Sequence, residues 1–234
     1  AEYCLQSSWH YLIDPTIHTV SVQQARVKRD FHTIAGFPNV IGEIDCNHIA
    51  IKAPLLNKFN FVNRKGFHSV NVQVICDSHL ALLNVVAKQP GGTHNSFIVQ
   101  NSSVGLNLQE GAVEDGWLIG KQHVSFARFI CHVRPLLGNY LNVVFITAGN
   151  RGYPLKTWLM TPLTNPSNQQ EATYNQAHAH IRTVERTIGL LKWHWLFLSG
   201  TGGTLQYQPS KVCYIVRACS VLHKRTRVNI IQRF

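Results

Sequence analysis

Acidic residues are scarce in this chain. Its 234 residues carry 11 Asp and Glu against 22 Lys and Arg, a formal net charge of +11. An imbalance of that size argues against a cationic partner and for a polyanionic one, with nucleic acid first and an acidic membrane surface second. Long apolar runs are also missing. The longest candidates, Leu141–Ala148 and Leu196–Leu198 with its tryptophan neighbours, fall well short of the roughly 18 residues needed to span a bilayer. No membrane-spanning helix is therefore expected, and the chain reads as soluble. No leader is visible at the start, and because residue 1 is Ala rather than Met the chain is expected to be a fragment. The six cysteines (Cys4, Cys46, Cys76, Cys131, Cys213, Cys219) contain no C-x-x-C pair, which excludes a regular disulfide framework and leaves reduced thiols as the expectation. Thirteen histidines are present, but none forms H-x3-H beside a cysteine pair, so zinc is not expected. Internal repeats and low-complexity tracts are absent.

What is present is enough for one core. At 45% hydrophobic, a chain of this length buries a substantial interior as a single domain. Residues 1–36 read as a partly basic helical remnant, and residues 37–234 as the domain itself. Basic clusters stand at Arg26-Val27-Lys28-Arg29, Asn63-Arg64-Lys65 and His223-Lys224-Arg225-Thr226-Arg227. Each alone is as well explained by solvated surface as by a binding face.

The Gly36–Asn39 turn introduces a strand at Val40–Ile51, which Pro54 stops. Alternation of Val70, Val72, Val74 and Cys76 with polar residues predicts a second strand, and Leu82–Ala87 a third, joined antiparallel through Asp77-Ser78-His79. The Pro90–Ser96 loop feeds a short helix, with Asn95 or Ser96 as the expected N-cap. Ala177, Ile181, Val184, Ile188, Leu191 and Trp195 form an apolar stripe at helical spacing, which predicts one long helix. A last helix is expected over Lys211–Leu222. Strands followed by helices around one sheet give an α/β or α+β domain.

With few acids, each can be weighed. Glu2, Asp14, Asp30, Glu110, Glu114, Asp115 and Glu171 stand in polar or terminal contexts, and Asp77 in a hairpin turn. Glu43, Asp45 and Glu185 remain. Asp45 lies inside an apolar strand, where a carboxylate requires a metal or a cation. Glu185 borders the apolar stripe of the helix, with Gly189 one turn on leaving room for approach; the alternative is a surface pair with Arg182. A strand carboxylate and a helix carboxylate together suit a metal-assisted phosphodiester site.

Several motifs then occur in order. Gly42-Glu43-Ile44-Asp45-Cys46-Asn47-His48-Ile49, Lys65–Gln73, Pro90–Ser96, Gly149–Leu155 with Leu159–Pro162, Val184–Lys192 and Ala218–His223 resemble successive blocks of the Harbinger transposase family. The resemblance implies an RNase H-like α/β fold, a mixed sheet flanked by helices, and an Asp-Asp-Glu triad that binds Mg²⁺ or Mn²⁺ and cuts DNA. Carried over, the triad falls on Asp45, position 150 and Glu185, all three as metal ligands. Position 150 is Asn, which offers a carbonyl oxygen but no charge. Asn95 likewise stands where the family's loop carries Asp. The family would also run from Trp117–Gly120 directly to Asn150, so Lys121–Ala148 reads as an insertion; Gly120-Lys121 and Ala148-Gly149 fit a translated splice donor and acceptor, which reads as a retained intron, with a real family-specific insertion as the alternative. The resemblance further implies a Myb-like DNA-binding partner and a nuclear location, or a cytoplasmic one without that partner. The competing reading is a catalytically silent DNA- or protein-binding module, which Asn150 favours.

If the charge excess serves DNA, affinity for duplex DNA should fall steeply with salt, with a log–log slope of about −0.9 per phosphate neutralised. Titration between low and physiological salt measures it, and a flat response would remove the polyanion argument.

Overall fold

The structure is a computed structural model. It describes residues 21–113, 115–120, 122–123, 126–133, 141–148 and 151–231, with the backbone alone at 21–22, 122–151 and 227–231. Asn150 and most of 1–36, with Glu2, Asp14 and Glu114, lie outside these residues.

Helix α1 (Ser21–Ala35) leads through the Gly36 turn into β1 (Val40–Ala50), followed by β2 (Ser69–Cys76) and β3 (Leu82–Pro90). Two short helices, α2 (Asn95–Gln100) and α3 (Ser103–Gln109), precede β4 (Trp117–Gly120). Then come β5 (Gln122–His123), β6 (Phe126–Val133), β7 (Leu141–Ala148), β8 (Arg151–Gly152) and β9 (Leu159–Met160). Helices α4 (Gln169–His180), α5 (Thr183–His194) and α6 (Pro209–Ile231) complete the order. The main sheet runs β3-β2-β1-β4-β9. Its first three strands are antiparallel neighbours, and β4 and β9 join parallel. This is the RNase H-like α/β arrangement.

Register decides what each face carries, because directly paired residues share a face. Glu43, Asp45, Asn47 and Ile49 pair with Cys76, Val74, Val72 and Val70. Those β2 residues pack with Val184 and Leu191 of α5 and Val212 and Val216 of α6. Ile44 pairs with Ile75 and belongs to the opposite face, with Val99, Val104 and Leu108 of α2 and α3. Ile119, paired with Glu43, lies on the α5 face in a cluster with Val27 and Phe31 of α1 and Ile181. Helix α1 thus shares its core with the sheet, on the other side of the boundary drawn at residue 36.

Three sequence expectations change. The single long helix is two. Ile181 is extended (φ −82°, ψ 110°), ending α4, and α5 starts afresh at Thr183. The apolar stripe continues across the break, but its ends serve different cores: Ile181 packs with α1, Val184 and Leu191 with α6. The N-cap of α2 is His94, with no side-chain cap bond, rather than Asn95 or Ser96. The last helix begins at Pro209, a residue preorganised for a helix start, and extends to Ile231. Among the described cysteines, Cys46, Cys76, Cys213 and Cys219 are free thiols. No helix in the described residues is long and apolar enough to cross a membrane.

Among the described residues strands β6 and β7 pair only with each other, as a sheet apart from the main one, and β5 pairs with β8. Deleting Lys121–Ala148 should therefore leave a folded domain with a cooperative denaturant transition. Loss of that transition would show that the segment contributes to the core.

Candidate functional site

The site is organised by two contacts between β1 and α5. Glu43 is fully buried, and its Oε2 accepts from Thr183 Oγ1 at 2.7 Å and from the Val184 backbone N–H at 2.8 Å. A carboxylate here satisfies one of the donors that a helix start leaves unpaired and meets the positive end of its dipole. Cys76, paired with Glu43 across the sheet, donates from Sγ to Thr183 Oγ1 at 3.6 Å. Its thiol is pushed up to about 12 by burial. Thr187 Oγ1 donates to the Thr183 carbonyl at 2.8 Å, closing the first turn. Further along, Lys192 Nζ donates to Asn47 Oδ1 at 3.0 Å.

The two contacts run in register. From Glu43 to Asn47 a strand rises about 13 Å, and from Val184 to Lys192 a helix rises about 12 Å. Strand and helix therefore lie alongside each other in the same direction. Asp45 falls midway between the contacts on the same face, half-buried, with Cys46 N–H donating to its Oδ1 at 2.7 Å. Glu185 follows Val184 in the first turn of α5 and is exposed. Glu185, Gly189 and Lys192 form one i, i+4, i+7 row, and a Cβ built on Gly189 would meet nothing within 4 Å. Arg182 donates from Nε to the Ala179 carbonyl at 3.1 Å. Asp45 is also the first residue of β1 beyond the β4 pairing, which ends at Ile44–Gly120. Crevices for ligands form at such a divergence, beyond the carboxyl end of a parallel strand.

Among the described residues, Asp30, Asp77 and Glu171 behave as surface or turn groups. Asp77 accepts from His79 and Ala81 N–H. Asp30 pairs with Arg26 and His79, and Glu171 caps α4 with Ser167 and Asn168.

Asp45 and Glu185 are hard oxygen donors of the kind Mg²⁺ or Mn²⁺ takes. Among the described residues no group of three or more His, Cys, Asp and Glu could hold a metal ion; the third expected position, Asn150, lies outside them. On the opposite face Tyr153, fully buried, donates from its hydroxyl to Cys46 Sγ at 3.1 Å. Burial, then the neighbouring Cys46 and Asp45, hold the Tyr153 hydroxyl well above its usual range, so it remains protonated.

The role of Glu43 was not evident in the sequence beyond its being one of three acids in apolar surroundings. The only signal was a buried-strand acid separated by one residue from another.

Comparison with known proteins places the chain in a family. Residues 44–224 match the family described as DDE superfamily endonuclease. The chain is 36% identical over 198 residues to "Putative nuclease HARBI1" of Rattus norvegicus, covering 84% of this chain and 48% of that protein. Identity to the human protein of the same name is 35% over the same length and shares. "Protein ALP1-like" of Arabidopsis thaliana is 25% identical over 204 residues, covering 84% of this chain and 45% of its own. The chain thus spans about half the length of the curated relatives it matches. No solved structure matches.

Replacing Glu43 should be severe. Glu43→Ala strands the Thr183 hydroxyl and the Val184 N–H in a buried site and should lower unfolding free energy by about 3–5 kcal/mol. Glu43→Gln, which keeps an acceptor, should cost less. Urea unfolding of both variants measures this, and an Ala variant within 1 kcal/mol of the parent, roughly the scatter of surface substitutions, would deny the clamp its role.

Proposed function

We propose that this chain, which belongs to the DDE superfamily endonucleases in their Harbinger transposase-derived branch, hydrolyses DNA phosphodiesters with a divalent cation, Mg²⁺ or Mn²⁺, held by Asp45 and Glu185. The observation that carries the proposal is the paired contact of β1 with α5. Glu43 and Asn47 lock the strand to the helix at two points, so the carboxylate between them faces the helix that carries the second carboxylate.

The bound cation would supply Lewis-acid activation of water and charge neutralisation at the leaving oxygen. The protein's part is positional. Asp45 has one oxygen engaged by Cys46 N–H, which fixes the carboxyl plane. Glu185 projects from a turn whose start is anchored by a buried acid. Lys192, held by Asn47, brings a positive charge to the same row for the DNA strand. Asn150 contributes a carbonyl oxygen as the third ligand.

On this reading the chain acts on DNA in the nucleus, with site selection supplied by a Myb-like DNA-binding partner and a cytoplasmic location in its absence. One observation favours a second reading: Asn at position 150 offers no negative charge where the family's pattern has a carboxylate for the cation. On that reading the chain is a catalytically silent module that binds DNA or protein.

Asn150→Asp, in the background lacking residues 121–148, should create or raise Mg²⁺- or Mn²⁺-dependent nicking of plasmid DNA. A third carboxylate adds charge and a stronger hard-oxygen ligand. Asp45→Ala in the restored protein should abolish the gain. If Asn150→Asp alters neither metal affinity nor nicking, position 150 is not a ligand. Nicking by the unmodified chain that Asp45→Ala eliminates would dispose of the silent-module reading.

A further inference from the structure

A cleft of about 220 Å³ opens at the far end of β1, lined by His48, Val62, Asn63, Arg64, the 91–95 loop and Gly152. Its lining contains no acid, and since one water takes about 30 Å³, it is several waters deep.

Its walls are built rather than incidental. The 60–64 and 91–95 loops are stitched by Gly91 N–H to the Ser69 carbonyl and Gly92 N–H to the Asn60 carbonyl, both at 2.8 Å. A Cβ on Gly91 would sit 2.1 Å from Ser69 Oγ, and one on Gly92 2.7 Å from the Asn60 carbonyl oxygen, so only glycine permits this approach. Asn71, paired with His48 across the sheet, holds the second wall through Nδ2 bonds to the Thr93 carbonyl and Asn95 Oδ1.

The floor has a defined polarity. Asn63 Oδ1 accepts from Lys65 and Phe67 N–H, which fixes its amide and makes Nδ2 the donor to Ser69 Oγ at 3.0 Å. Ser69 Oγ lies 3.1 Å from His48 Nδ1; with the hydroxyl donating to that nitrogen, the imidazole proton resides on Nε2. Burial, then Arg64, Lys65 and Lys192, lower the His48 pKa to about 4, so the ring stays neutral at physiological pH. The cleft therefore presents a fixed N–H donor beneath an exposed guanidinium, with further cations close by and no acid in its lining.

We propose that this cleft seats a backbone phosphate of the DNA strand, away from the scissile one, with His48 Nε2–H donating to a phosphate oxygen and Arg64 supplying the charge. The proposal rests on the reading of the chain as a DNA nuclease. It adds a positioning site on the face of β1 opposite Asp45, so that a strand passing round the end of β1 is gripped on both sides. Neutral His48 provides direction, and Arg64 provides counterion release.

The test is binding of a duplex oligonucleotide by the full chain in EDTA, where no cutting occurs, across a salt series. Arg64→Ala changes an exposed side chain; it should weaken binding and reduce the log–log salt slope by about 0.9. His48→Phe should weaken binding about tenfold, the scale of one lost hydrogen bond to a charged group, with the slope unchanged because no charge is removed. His48→Gln, which places an amide donor where Nε2 was, should recover most of that loss. Wild-type affinity and slope in both Arg64→Ala and His48→Phe would overturn the cleft while leaving the nuclease reading intact. Equal weakness in His48→Phe and His48→Gln would overturn the donor assignment. If the unmodified chain binds no DNA, the nuclease reading falls and takes the cleft with it.

Discussion

The bond from a buried strand carboxylate to a helix start is the constraint on which the rest of this site depends. Glu43 is 0% exposed, and taking a charge that far from water costs several kcal/mol unless its lone pairs are met. The Val184 N–H and the Thr183 hydroxyl meet those of Oε2. The same bonds explain why the chain breaks at Ile181 and Arg182: a helix continuing through that point would commit the Val184 N–H to the carbonyl of residue 180. The break releases that donor for Glu43, and it sets the direction in which α5 leaves the sheet. Glu185 is the next residue.

Much of the sheet was legible in the chain itself. Period-two alternation located β2, and the Asp77-Ser78-His79 turn after it located β3 as the returning strand. Asp45 could be recognised because it interrupts an apolar strand. The helix break was not legible, because hydrophobic periodicity reports burial and not what buries it. Ile181 and Val184 keep helical spacing while packing on α1 and α6 respectively, so the pattern passes unbroken through a break in the backbone. The task of Glu43 was hidden for a related reason. An acid that caps a helix 140 residues away in sequence leaves no local mark, and it competes for attention with the more conspicuous Asp45.

Charge placement gains meaning once the topology is known. No Asp or Glu occurs between Cys46 and Cys76, nor from Arg186 to the end of the chain. The first acid-free stretch begins directly after Asp45 and the second directly after Glu185. They come side by side where Ile51 bridges Leu205, and Lys192 of one stretch is close enough to Lys65 of the other for repulsion, with burial the larger cause, to lower its pKa. The net charge of +11 is therefore not spread as a uniform coat. Beyond the two candidate carboxylates these elements offer an incoming phosphate backbone attraction without local competition, the arrangement that raises encounter rates with polyanions.

The segment between β4 and position 150 fits the same geometry. Strand β4 delivers Gly120 opposite Ile44. Two residues later the chain is at Gln122, which pairs with Gly152, and His123 pairs with Arg151. The excursion through β6 and β7 thus leaves and rejoins the domain across one short ladder, and its two long strands spend their hydrogen bonds on each other. An added segment whose ends already meet costs little loop-closure entropy at its base and imposes no new spacing on its flanks. Gly152 still reaches the cleft beside His48, and Tyr153 still reaches Cys46. The chain downstream of β7 therefore returns to β1 within a few residues of Asp45, and on the proposed site assignment the amide at position 150 in place of a carboxylate is what separates the nuclease reading from the binding-module reading.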